Sequence, residues 1–350
     1  MHIQTSIRHT FIDACYGRNN GHVPAWYMRQ AGRCLPAYRT LKETYDILTL
    51  CRTPELAAQV SLMPVETFGV DVAILFADIT LPLLAMGVGL DLVEHIGPVI
   101  HSPITSEVDV LKLKNIDVSD IKYLQETIGI IKKELNGKTP LIGFAAAPFT
   151  LATYLIEGRP SKDFVKTKNM MRSPQTRQLW HSLMQVLTDN TITYLKYQTE
   201  SGVDAVQLFD SWVGTLTREE YVQSVLPYSQ QIFAALQNAH VPRIHFGTNT
   251  SHFLEDFASV DCEVIGVDSH ISLADAWSRI GGKTIQGNLD PVLLLNSDFD
   301  VIKHKVDEIF AQIDSHLDSR ESFIFNLGHG VLPDTPYENL IKLTEYVHQK

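Results

Sequence analysis

Short apolar runs, each five to seven residues long and ending in a polar or glycine-containing tip, punctuate the chain. They are VPAWYM (23–28), DVAILF (71–76), PLIGFAA (140–146), DAVQLF (204–209), PRIHF (242–246), EVIGV (263–267), KTIQG (283–287) and SFIFNLG (322–328). Each is too short for a helix, rich in β-branched or aromatic residues and poor in interior charge. Strands buried on both faces of a parallel sheet have this pattern. Helical patterns fill the gaps. Residues 178–200 place Leu179, Leu183, Val186, Leu187 and Ile192 at helical spacing and stop at Gly202. Residues 217–237 open with Thr217 three positions before Glu220, a capping-box pattern, and further helices are expected over 272–280, 301–317 and 336–348.

Eight strands separated by helices predict an α/β fold, a single (β/α)8 barrel over residues 1–350. An open doubly wound sheet has the same local signals, and the count of eight favours the barrel. The stretch between the second and third strands exceeds one helix, and within it 88–104 reads as a hairpin excursion at the barrel mouth. Residues 139–156 are uncharged over a length that would span a membrane, but they contain Gly143, Pro148 and three threonines. A buried strand, a turn and the start of a helix explain them better.

Composition narrows the function classes. With 350 residues, 45% hydrophobic and 20% charged, the chain is neither disordered, collagenous nor a disulfide scaffold. A net charge of −11 argues against nucleic acid as a partner. The four cysteines form no C-x-x-C pair, which points to a reduced, cytoplasmic chain without a dedicated zinc site. The first twenty residues contain no apolar core of a signal peptide.

In a barrel the chemistry sits at the C-terminal ends of the strands. The tips here carry Arg29, Asp78, Asp210 with Ser211, Thr248, Asp268, Asn288 and His329, and Tyr154 follows the third strand by one turn. The block 24–42 holds Arg29, Arg33, Arg39 and Lys42 and not one acid, inside an acidic protein. Arginines at i and i+4 after an apolar strand, with Gly32 permitting close approach, suit a carboxylate or phosphate. No phosphate-binding glycine fingerprint accompanies them. Asp78 lies among apolar residues, where a carboxylate needs a partner for its charge. His329 stands between two glycines at the last tip. Tyr154, on its own, reads as a core aromatic.

MRQAGR (28–33) with LPAYR (35–39), GFAAAPFTLATYLIEG (143–158), QLFDSW (207–212), TIQGNLDP (284–291) and FNLGHG (325–330) together resemble the uroporphyrinogen decarboxylase family, in order along essentially the whole chain. The resemblance implies a homodimeric (β/α)8 barrel with no metal or organic cofactor. It implies a uroporphyrinogen substrate that loses CO2 from its acetate side chains in haem biosynthesis. It further implies that Arg29 and Arg33 hold substrate carboxylates, that Asp78 binds the pyrrole nitrogens, and that Tyr154, Phe209, Ser211 and His329 line the pocket. The backbone of Gln30, Ala31 and Gly32, with Lys42, completes the expected substrate contacts. Asp78, Arg29, His329 and Tyr154 are the expected catalytic residues. Three departures are mild: Lys42 for an arginine, Asp210 for a glutamate and Phe149 for a tryptophan. Two rival readings are a corrinoid-dependent methyltransferase of the same superfamily and a non-catalytic porphyrinogen carrier. The first expects a His-x-Cys zinc ligand pair where this chain has His245-Phe246-Gly247.

Overall fold

The computed structural model describes residues 9–296, 298–315 and 319–350. Seven parallel strands form one curled sheet in sequence order: β1 (Ala73–Ile74), β4 (Leu141–Ala146), β5 (Ala205–Asp210), β6 (Arg243–Gly247), β7 (Val264–Gly266), β8 (Thr284–Leu289) and β9 (Phe323–Leu327). The intervening β2 (Leu90–Val93) and β3 (Gly97–Ile100) pair antiparallel with each other, which is the expected hairpin excursion. Helices separate the barrel strands, as the apolar periodicity predicts.

The first expected strand is the exception. Residues 23–28 make one parallel bridge, Ala25 to Phe325, and no regular ladder. Their backbone nevertheless closes the ring. Phe325 N–H donates to the Pro24 carbonyl (2.9 Å) and Trp26 N–H to the Phe325 carbonyl (3.3 Å). On the other side Asp71 N–H donates to the Ala25 carbonyl (2.9 Å). The eighth position of the (β/α)8 barrel is thus filled by an irregular segment. The broken ladder frees the chain to turn sharply at the basic block.

Other elements follow the sequence closely. Residues 139–156 form β4, a turn and the helix Pro148–Glu157. Thr217 and Glu220 make the reciprocal capping box at the start of Arg218–Ser224. The helix expected over 217–237 is broken, because Pro227 cannot donate within it; a second helix, Leu226–Ala235, starts there. The helix Phe299–Asp314 ends before Leu317, which lies outside the described residues.

Inside the barrel, side-chain amides replace part of the apolar filling. Trp26 Nε1–H donates to Gln286 Oε1, and Gln286 Nε2–H donates to Gln207 Oε1, both at 3.0 Å. These residues are buried, so each bond satisfies a polar group that water cannot reach, while Gln207 Nε2 has no partner among the described residues. Gln207 and Phe209 therefore face inward, and by strand alternation Leu208 and Asp210 face the helical layer.

β1 is short for a reason that matters to the site. Leu75 N–H still bonds the Ile142 carbonyl (2.9 Å), but beyond it the chain peels away from β4. Phe76 N–H is caught by the Ser61 hydroxyl (2.8 Å). The edge of β4 left unpaired is satisfied by Gln198, from the helix Arg177–Glu200. Its carboxamide accepts from Phe144 N–H (2.8 Å) and donates to the Phe144 carbonyl (2.9 Å). A Cβ on Gly143 would come within 2.4 Å of Gln198 Oε1, so glycine is required beside it. This departure of β1 carries Asp78 to the mouth of the barrel.

Candidate active site

The basic block forms the tip of the irregular first segment. Gln30 N–H bonds the Tyr27 carbonyl (2.9 Å), closing a tight turn over residues 27–30 in which Arg29 adopts a left-handed φ of 61°. Non-glycine residues reach this region at a cost, and surrounding contacts must hold them there. Gln30 supplies them: its Oε1 accepts from Tyr27 N–H (3.0 Å) and its Nε2 donates to the Val72 carbonyl (2.9 Å). The Gln30 side chain is thus buried and committed to the scaffold. Arg39 steadies the next turn by donating to the carbonyls of Arg33 (3.0 Å) and Cys34 (3.3 Å).

Arg29 and Arg33 are exposed, and among the described residues neither has an ion pair. Elsewhere Arg172, Arg218, Arg279 and Arg320 all sit against carboxylates. Uncompensated guanidinium groups i and i+4 apart at a strand-end mouth form an anion-binding arrangement.

Asp78 is half-buried in the chain that leaves β1. Its Oδ1 accepts from Thr80 N–H (2.8 Å) and from the Thr80 hydroxyl (2.5 Å). Among the described residues its other oxygen accepts nothing. Phenols ring it. Burial raises the Tyr154 pKa, Asp78 raises it further, and Arg29 pulls it down. Burial pushes Tyr38 up to about 12, with Arg33 lowering it and Asp78 raising it. Tyr154 thus lies within electrostatic reach of both Arg29 and Asp78, and Tyr38 of both Arg33 and Asp78. Tyr38 carries no sequence signal beyond its place in LPAYR. Lys42 is on the helix Pro36–Thr44, where its charge reaches the buried Cys51, which also feels Asp78.

Aromatic rings make the wall. Phe209 stands edge-on to Phe144 (5.5 Å) and to Phe246 (5.8 Å), and Trp212 packs on Tyr154 (6.4 Å) and Phe164 (5.7 Å). Trp212 follows directly from Ser211 at the end of β5.

His329 stands at the tip of β9. Protein atoms around its ring lower its pKa, the Arg29 charge lowers it further, and Asp268 partly restores it. Its Nδ1 accepts from Gly330 N–H (2.7 Å), so the neutral ring carries its proton on Nε2. Space is what requires glycine at position 330: a Cβ would meet Arg29 Cδ at 2.4 Å. The arginine side chain therefore lies against the backbone beside His329.

The rest of the polar ring does other work. Thr248 donates to the Ser211 carbonyl (2.6 Å), and Asn288 Nδ2–H donates to the carbonyls of Asp268 (2.8 Å) and Ile271 (2.7 Å). Asp268 accepts from the backbone of Asn249 and His270. These residues stitch neighbouring loops together. Asp210 is a correction to the ring, because it faces the helical layer. There it is fully buried; among the described residues its side chain is bonded only by the Thr150 hydroxyl (3.2 Å), and burial pushes its pKa up to about 7. His245 also faces away from the barrel interior, stacked on Phe257 (3.8 Å) with its pKa driven by burial down to about 3. A side chain at Gly247 would meet Thr250 Cγ2 at 2.8 Å and the Phe257 ring at 2.9 Å. The His-x-Cys zinc pair of the methyltransferase reading therefore has no place here.

Comparison with known proteins identifies the family. The sequence profile described as uroporphyrinogen decarboxylase matches residues 7–350. The chain is 46% identical to a protein of that name from Carboxydothermus hydrogenoformans, over 97% of this chain and 96% of the relative. It is 46% identical to one from Bacillus subtilis (97% and 94%) and 44% identical to one from Streptomyces coelicolor (97% and 93%). Among solved structures, a methyltransferase from Methanosarcina mazei superposes with a TM-score of 0.77 at 20% identity, over 97% of each chain, which shows a shared fold. Matched over nearly its full length by both the profile and these relatives, the chain belongs to the uroporphyrinogen decarboxylase family.

Proposed function

We propose that this chain converts uroporphyrinogen III to coproporphyrinogen III by removing CO2 from the four acetate side chains, without a cofactor. The observation that carries the reading is the meeting of two uncompensated arginines with one partly free carboxylate at a single aromatic-walled mouth. The substrate has eight carboxylates around a flexible ring of four pyrroles. Arg29 and Arg33 hold carboxylates at the rim, with Lys42 adding charge. The free oxygen of Asp78 accepts pyrrole N–H bonds, for which an ionised carboxylate has several lone pairs. Phe209, Ser211 and Tyr154 bound the macrocycle, with the backbone of Ala31 and Gly32 closing the rim.

The chemistry needs an electron sink, and a protonated pyrrole is one. A proton adds to the ring carbon next to the acetate-bearing carbon and makes the ring cationic. The carboxylate's C–C electron pair then flows into that ring as CO2 leaves, giving an exocyclic methylene. A second proton converts the methylene to methyl, and the first proton leaves the ring carbon, so each cycle consumes one proton and one carboxylate. Asp78 stabilises the cation as it forms, a preorganised electrostatic role. His329 serves as a neutral Nε2–H donor that orients a substrate carboxylate beside Arg29. The substrate's own pyrrole supplies the sink, so an added cofactor has no task.

The resemblance also supports a cytoplasmic homodimer; no helix among the described residues is long and apolar enough to cross a membrane. Anaerobic incubation with uroporphyrinogen III in the dark, followed by oxidation and separation by carboxylate number, tests the function. Successive hepta-, hexa-, penta- and tetracarboxylate products are expected. Tight binding without turnover would replace the enzyme by a carrier.

A further inference from the structure

The N-terminal end of the barrel, opposite the candidate active site, holds a constellation that the proposed chemistry does not use. His22 precedes the ring-closing segment, Asp71 precedes β1, and His348 ends the last helix, Tyr337–His348. Three distant stretches of chain thus bring two imidazoles onto one carboxylate. His22 Nε2 lies 2.7 Å from Asp71 Oδ1, and His348 Nε2 lies 2.8 Å from Asp71 Oδ2. The two rings stand edge to face with centroids 4.5 Å apart. The donor atoms of all three residues lie within 4.8 Å of one another.

We propose that His22, Asp71 and His348 form a binding site for a divalent transition-metal ion, with zinc as the best match. Two imidazole nitrogens and one carboxylate oxygen are a borderline donor set, and three protein ligands with water in the fourth position suit tetrahedral zinc. Asp71 is anchored from behind, since its Oδ2 also accepts from Ala25 N–H at 2.7 Å, and such outer bonds orient ligating carboxylates. The histidine side chains are 39% and 29% exposed and Asp71 13%, so an ion can enter and keep water. A cavity of about 260 Å³ adjoins the cluster, lined by His9, Thr10, His22 and Asp71 among others. The four cysteines are all buried, which removes the stronger thiolate competitors.

Without metal, both histidines hold Asp71 by Nε2–H bonds. The ion takes the place of those two protons, each neutral ring moving its proton to Nδ1. The ion would tie the ring-closing segment to the last helix and stabilise the barrel from its base. This inference stands independently of the proposed function.

The test uses tag-free protein stripped with a chelator and titrated with Zn2+ by calorimetry. One ion per chain is expected, with a melting temperature raised by about 3 °C at a hundredfold excess over Kd. His22→Gln and His348→Gln retain a hydrogen-bond donor to Asp71; each is expected to weaken Zn2+ binding at least about tenfold. Both should keep the metal-free melting temperature and turnover near wild type. A second measurement needs no variant: Zn2+ should protect His22 and His348, and not His270 or His304, from acylation by diethyl pyrocarbonate. The absence of saturable binding, binding unchanged in both variants, or unprotected His22 and His348 would each overturn the site.

Discussion

Replacing Asp210 by asparagine should stabilise the protein, and by an amount that grows with pH. The folded chain buries this carboxyl with, among the described residues, one bond from Thr150 and no partner for its second oxygen. Burial raises its pKa from 3.8 to about 7. At low pH the group is protonated in both the folded and unfolded states and costs nothing extra. Between pH 4 and 7 the unfolded chain releases this proton while the folded chain keeps it, so stability falls as pH rises. Above pH 7 both forms are ionised and the full penalty of about 4 kcal/mol has accrued, from the shift at 1.36 kcal/mol per pKa unit. Asparagine keeps the acceptor for Thr150 and does not titrate. At the entropy of unfolding expected for this length, the gain is about 5 °C in melting temperature. The assay is denaturant unfolding of both proteins at pH 4.5, 6 and 8. Any fixed packing cost of the amide drops out, because the predicted quantity is the change in the difference with pH. The nearby Tyr221 is pushed well above its ordinary value and stays protonated throughout this window. A stability difference that is constant with pH would refute the reasoning, as would one that shrinks as pH rises.

Three other outcomes follow from the site. Asp78→Asn should bind uroporphyrinogen and melt within about 2 °C of wild type, yet lose roughly a hundredfold or more in kcat, the scale of one electrostatic stabiliser; near-normal kcat would remove Asp78 from the chemistry. Gly330→Ala forces Arg29 to move, because the added carbon meets its side chain at 2.4 Å. The loss of a charged contact should lower kcat/KM about 10- to 100-fold with little change in stability, and unchanged kinetics would mean that Arg29 does not hold substrate. His329 is held neutral by its surroundings and Arg29, so the acid limb of kcat/KM should lie below pH 6.5 and vanish in His329→Gln; a limb that persists in the variant belongs to another group.

Much of this was legible in the sequence because buried parallel strands announce themselves. The runs over β4 and β5 could hardly be anything else, and Ser211 stood out at the tip of β5, whereas Tyr154 read locally as a core aromatic and Phe209 entered only through the resemblance. The alternation that turns Phe209 inward also turns Asp210 outward, so its removal from the polar ring was readable from parity alone. Pro227 likewise signalled the helix break. Other features depend on contacts between residues far apart in the chain. Nothing local in 23–28 says that its ladder fails after one bridge, or that Gln198 replaces the missing edge of β1. The lowered pKa of His329 comes from packing and from Arg29, three hundred positions away. The convergence of His22, Asp71 and His348 depends entirely on barrel closure.

The measurement closest to the central claim is the amount of CO2 released per uroporphyrinogen III consumed by chelator-treated, extensively dialysed protein. The account predicts that four CO2 accompany each coproporphyrinogen formed, with no added metal or organic cofactor. Binding without CO2 release, or release that requires an added corrinoid or metal ion, would contradict it.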